Sequence, residues 1–377
     1  MISRIFSFLL LLLLLLCYTP CLLGQSDEDQ IRAVVNDYAV GTAYNNAEQL
    51  RSAFLPGANM FLDHPEQPLY VMKIEDYAGR VAKQEQGKFN GRVSNILSID
   101  QTKGIAVVKL EVIIPGLEAR FIDLLLLKKL DEGWKIISKT AAREAAKPQT
   151  KKVLLILSSA SFQGNSDLPA GNSFAEVAIA YGVYRQAGYH VDMLSPLGGK
   201  VPIVYIDPTD SLQLAYLYNR DFMYALTHTL TPAAVNPDEY AICQYTGGSA
   251  PIFDVPQNEA IQKIVMHIYE QNQGVVAAVC HGTAGIVHLK TADGQYLVAG
   301  KTVNTIPDAQ ERHDLPFYQQ YPFIIETLLK ERGATVRYSD IREPHMEVDG
   351  RLVTGQNSVS SERVSLKTIE ISQALSQ

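Results

Sequence analysis

Cys280-His281-Gly282 closes the apolar run "VVAAV", Val275 to Val279, and opens a stretch of small residues, "TAGI". The run reads as a buried strand and the small residues as a helix, so the cysteine falls on the junction. A strand that passes directly into a helix turns sharply and lifts the junction side chain above the sheet edge. Gly282 lets the backbone turn closely. A sulfur at a helix N-terminus faces the positive end of the dipole, which favours the thiolate. Neighbouring N–H groups can stabilise an oxyanion. The chemistry implied is nucleophilic attack on a carbonyl carbon. Cys243, within "YAICQY", reads instead as a small core hydrophobe. His228, His267, His288 and His313 have no Cys or His at ligand spacing, so no metal is expected, and thiol attack on a carbonyl requires no organic cofactor.

An elbow of this kind needs a sheet to stand on. "KVLLILSS" from Lys152 is a continuous buried-strand run. A helix over "SFAEVAIAYGVYRQAG", the strand "YHVDMLS", the strand "YAICQYTGG", a helix over "NEAIQKIVMHIYEQ" and the strand "GVVAAVC" follow in alternation. That pattern predicts an α/β unit over 153–377, a parallel sheet covered by helices on both faces. A tyrosine-rich insertion between Lys200 and Pro237 is placed to cap the carboxyl edge of the sheet.

Residues 27–145 follow a different grammar. Ile31, Val34, Val35 and Tyr38 recur at helical spacing, and Asn46 is a fair N-cap for the next helix. After a third helix near Ile74 come four strand-like runs, "GRVSNILSI", "IAVVKLEVII", "ARFIDLLLLKKL" and "WKIISKTAA". Helices followed by antiparallel strands predict a smaller α+β unit. The polar segment at 146–152 reads as a linker.

The chain has 377 residues, 47% hydrophobic and 19% charged, which fits two globular domains. A net charge of −7 without a basic run argues against a nucleic-acid partner. Residues 1–24 read as a signal peptide: Arg4 is followed by an apolar core with eight consecutive leucines from Leu9. Cleavage after Gly24 would leave two of the four cysteines, Cys243 and Cys280. Export to a periplasmic or extracellular location is expected, with lipidation at Cys21 or an uncleaved anchor as the alternatives.

Two resemblances refine these readings. "IRAVVNDYAVGTAYNNAEQLRSAFLPGANM" with "EGWKIISK" resembles the cone-shaped nuclear-transport-factor-like fold, in its lumazine-binding-like branch. The resemblance implies a pocket for an apolar ligand. Tyr38, Phe54, His64, Tyr70 and Trp134 are candidates to line it, although core packing is the expected role of such aromatics and His64 reads as a loop histidine. "AAVCHGTAGIV", "SFAEVAIAYGVYRQAGYHVDMLSPLGG", "TGGSAPIFDVPQN" and "DGRLVTGQN" resemble the PfpI superfamily, of class I glutamine-amidotransferase-like fold. Within it they are most similar to the stress-chaperone and glyoxalase III branch. This implies a flavodoxin-like sheet and conversion of methylglyoxal-like aldehydes, or of early glycation adducts, without a cofactor.

By that resemblance Cys280 is the nucleophile, His281 its neighbour, and Glu176 the glutamate beside the sulfur. Such a glutamate needs a raised pKa, held neutral by burial. Gly247 and Gly248 match the glycine pair whose amides, with that of His281, would form an oxyanion hole. For the acid that orients His281, Asp308 is preferred and Glu311 is second. Ser249 and Ala250 stand where the family has His-Gly, and Thr283 and Ser358 where proline is frequent. Two alternatives remain: amide hydrolysis of peptidase or amidotransferase type, for which His345 and Glu347 share a strand face, and a non-enzymatic holdase or ligand-binding role. A homodimer is expected.

Overall fold

The computed structural model describes residues 26–62, 67, 69–144, 149–341 and 343–375. The leader with Cys21 and Gly24, the start of the expected linker, and His64 lie outside the described residues.

The first unit opens with α1 (Asp27–Ala43), capped reciprocally by Ser26 and Asp29, and α2 (Ala47–Ala53), whose N-terminus Asn46 caps. Then come β1 (Phe54–Leu62), β2 (Tyr70–Lys73), α3 (Ile74–Val81), β3 (Val93–Thr102), β4 (Ile105–Ile114), β5 (Ala119–Leu130) and β6 (Gly133–Arg143). The four expected strands are β3 to β6. β1 escaped the sequence reading because Pro56 and Gly57 break its alternation, and its register shifts between Phe54 and Asn59. The six-stranded sheet, in order β2-β1-β6-β5-β4-β3, wraps around α1 and α2. Alternate residues Val108, Leu110, Leu125 and Leu127 point inward.

The second unit contains β7 (Lys152–Ile156), α4 (Phe174–Gln186), β8 (Val191–Leu194), α5 (Ser211–Leu217), α6 (Arg220–Thr227), β9 (Tyr240–Tyr245), α7 (Glu259–Glu270), β10 (Val275–Val279), α8 (Ile325–Glu331), β11 (Met346–Asp349), β12 (Leu352–Gly355) and α9 (Ser361–Leu375). The sheet order is β11-β12-β10-β9-β7-β8, all parallel except the edge strand β11. Both faces are buried. Val153 and Leu155 of β7 pack toward α4 and α9, while Leu154 and Ile156 pack toward α7 and α8. That two-sided burial is why these strands read as unbroken apolar runs.

The units meet through the outer face of the cone sheet. Glu111, an acid inside the apolar strand β4, is wholly buried and bonds Arg120 at 2.7 Å, Arg185 at 2.9 Å and His190 Nδ1 at 2.7 Å. Lys109 pairs with Asp221 of α6 at 2.7 Å, and Arg220 with Asp100. The insertion therefore packs on α4 and on the cone rather than simply capping the sheet edge.

Candidate active site

β10 delivers Cys280 to the carboxyl edge of the sheet, and the chain continues as a seven-residue 3₁₀ turn, Cys280–Ile286. Cys280 has φ of +56°, a left-handed conformation that a non-glycine residue adopts only under constraint. The constraint is the end of β9. A methyl on Gly282 would come within 2.7 Å of the Thr246 carbonyl oxygen, and one on Gly285 within 2.3 Å of the Tyr245 ring. Thr283 ties the turn down by donating to the Cys280 carbonyl at 2.7 Å, so it anchors the turn at a position where proline is common.

Glu176 lies in the first turn of α4, a helix buried nearly all round by Phe174, Val177, Ala178, Tyr181 and Tyr184. The residue is 3% exposed, and its carboxyl accepts the Gly247 N–H at 2.9 Å. Burial raises its pKa from 4.5 to about 7, against the lowering pull of the Gly247 amide and of Cys280. A methyl on Gly247 would sit 2.6 Å from both Cys280 Cβ and Glu176 Oε2. The glycine is what allows acid and sulfur to meet. This corrects the expectation for Gly247: its amide is committed to Glu176 and is not available to an oxyanion. Gly248, at φ of +122°, is held against Asn172 and stays a candidate donor.

His281 Nδ1 stands 3.9 Å from the Cys280 sulfur, and Nε2 bonds Glu311 Oε1 at 2.8 Å. Burial disfavours the imidazolium, but the bonds to Cys280 and Glu311 outweigh it and hold the His281 pKa well above 6.5. The Cys280 thiol is itself raised from 9.0, first by burial and then by the Glu176 charge, although His281 pulls it down. The lowering expected of a helix N-terminus is thus outweighed by burial, which raises both the sulfur and the carboxyl beside it. Cys243 is raised further by burial alone.

The preferred third acid is also corrected. Asp308 accepts the Tyr318 hydroxyl at 2.6 Å and lies 3.2 Å from His313 Nε2, so its carboxylate is turned away from His281. The 3₁₀ turn Asp308–Gln310 carries the chain on so that Glu311 arrives instead. Sequence reading missed Tyr321, whose hydroxyl is 3.3 Å from His281 Nε2. The dense aromatic run "PFYQQYPF" was its only signal. His345 and Glu347 do pair, at 2.9 Å, but His345 Nδ1 is bound to Ser339 Oγ at 2.6 Å and both ring nitrogens are engaged away from the sulfur. Of the proposed cone-lining aromatics, Tyr38 lines a cavity, Phe54 and Trp134 are core, and the Tyr70 hydroxyl accepts from Arg80 near the surface. The remaining histidines serve local contacts: His228 stacks on Tyr224, His267 bonds Asp238, and His288 bonds Arg332.

The chain carrying this site is similar to known proteins. A glutathione-independent glyoxalase of Schizosaccharomyces pombe is 31% identical over 248 residues, covering 59% of this chain and 97% of the relative. The chain belongs to the glutathione-independent glyoxalase family. A second family member, the glutathione-independent glyoxalase HSP31 of Saccharomyces cerevisiae, is 31% identical over 236 residues, 58% of this chain and 97% of its own. The crystal structure of glyoxalase III from Candida albicans superposes with a TM-score of 0.54 at 27% identity, covering 59% of this chain and 97% of that one. Residues 26–141, outside the glyoxalase-like part, match the family described as "Putative lumazine-binding". The chain thus joins a unit matched by that family model to a glyoxalase-like α/β domain.

Proposed function

We propose that the protein is an exported, cofactor-independent enzyme that converts methylglyoxal-like 2-oxoaldehydes to 2-hydroxy acids, or acts on their early adducts, through Cys280. The observation that carries this is the convergence of Glu176 and His281 on one sulfur held in a strained elbow, with Glu311 behind the imidazole. The glyoxalase activity for which the relatives are named supports the substrate class. The apolar leader supports export.

The chemistry closes without an external oxidant. Cys280 sulfur adds to the aldehyde carbon, and its proton passes through Glu176 to the carbonyl oxygen, giving a hemithioacetal. The Glu176 carboxylate then takes the C1 proton while the His281 imidazolium protonates the neighbouring ketone oxygen, giving an enediol. Glu176 returns its proton to C2 and His281 recovers one from the C1 hydroxyl, leaving a thioester. Water cleaves the carbon–sulfur bond and frees the hydroxy acid and the thiol. One carbon is oxidised and its neighbour reduced, so the steps balance. The His281 and Gly248 amides are the proposed oxyanion donors.

The test is turnover of methylglyoxal without glutathione by the purified protein beside Cys280→Ala. Loss of turnover is expected, and equal rates would reject the assignment. The cavity in the cone supports a ligand-binding role for that unit with a small apolar-bodied molecule. A homodimer completes the proposal and is measured by light scattering.

A further inference from the structure

The cone contains a cavity of about 190 Å³ that the thiol chemistry does not use. Most of its wall is apolar, from residues such as Met60, Leu62, Val112 and Ile114. A void of about 150 Å³ accommodates benzene, so there is room for one ring and a small substituent. The polar side is uneven. Asp123 Oδ2 receives Lys139 Nζ at 2.8 Å and the Tyr38 hydroxyl at 2.9 Å, so the Lys139 charge is balanced. Both members of that pair are nearly fully buried. Arg92 enters the same cavity and donates from Nη1 to the Tyr77 hydroxyl at 2.8 Å, a neutral partner. The lining therefore carries two cations against one carboxylate.

We propose that the cone binds a small monocarboxylate with an aromatic or branched aliphatic body, its carboxylate on Arg92 and its body against the apolar wall. A guanidinium presents planar paired donors that match a carboxylate, and the bond is strengthened by exclusion of water. Tyr77 fixes the guanidinium, which lowers the ordering needed on binding. The Asp123–Lys139 pair sets the polar boundary of the cavity without adding net charge. This rests on the ligand-binding reading of the cone and names its ligand class; it is independent of Cys280.

The test is calorimetric titration of the purified protein with benzoate, with benzamide as the uncharged match and acetate as the bodiless one. Benzoate is expected to bind once per chain, about tenfold or more tighter than either. Arg92→Gln, checked for a native melting transition, is expected to erase the preference over benzamide, and Cys280→Ser to keep it. Equal binding of benzoate and benzamide by the unsubstituted protein would overturn the carboxylate proposal while leaving an apolar-ligand role. Failure of both ring compounds to bind at millimolar concentration would overturn both readings.

Discussion

Replacing Glu311 with Gln separates the two acids that compete for the role of orienting His281. The Glu311–His281 bond is 2.8 Å long, with side chains only 11% and 13% exposed, so it is a charge-assisted bond largely shielded from water. Such a bond contributes about 1.5–3 kcal/mol. Its loss should lower the His281 pKa, because the bond to Glu311 is one of the causes that hold it up. The sign follows from the geometry. Glu311 stabilises the imidazolium, so without it His281 loses its proton at lower pH, and the alkaline limb of the turnover profile moves down. At neutral pH the sulfur also loses part of its cationic neighbour, and alkylation of Cys280 by iodoacetamide slows. The expected fall in kcat/KM is about 10- to 100-fold. Asp308→Asn, whose carboxylate serves Tyr318 and His313, should change it by less than about threefold. A normal profile in Glu311→Gln with a large loss in Asp308→Asn would refute the assignment.

Three further outcomes follow from the same geometry. Glu176→Gln should abolish turnover yet stabilise the fold above pH 7. The buried carboxyl holds its proton more tightly than the unfolded chain does, so stability falls as pH climbs from 4.5 to about 7. Relief of that penalty is worth roughly 3 kcal/mol at pH 8 and nothing below pH 4.5, measured by urea unfolding at both pH values. Gly247→Ala should cost at least about 100-fold in kcat with little change in KM, because its methyl would wedge between Cys280 and Glu176, 2.6 Å from each. A native rate would show that the two groups need not touch. Glu111→Gln strips the carboxylate from Arg120, Arg185 and His190, and should destabilise the chain by about 3–5 kcal/mol in chemical denaturation. A change below about 1 kcal/mol would mean the junction of the units is solvated.

The elbow was legible because its signals are local. Gly282 and the small residues beyond Cys280 are demanded by the close approach of β9, and sequence spacing alone places them. Glu176 was legible for a similar reason, since an acid flanked by apolar residues on a buried helix must have a partner. The orienting acid was not legible. Asp308 and Glu311 are separated by one 3₁₀ turn, and that turn is held from afar: Gln356 donates to Gln310 at 2.7 Å, and Gln310 to the Ser339 carbonyl at 2.8 Å. Nothing in "PDAQER" states which carboxylate those contacts turn inward. The same limit applies to Gly247, whose N–H direction depends on where Glu176 arrives. The docking of the cone was not legible: Glu111 sits in an apolar strand, and its partners lie far along the chain, in α4 and at His190.

The most direct measurement is rapid acid quenching of the protein during methylglyoxal turnover, followed by mass spectrometry of the peptide containing Cys280. The account predicts a transient lactoyl group on the Cys280 sulfur that forms and decays at catalytically competent rates. Steady turnover with an unmodified Cys280 peptide at every quench time, or with the acyl group on Cys243 instead, would contradict it.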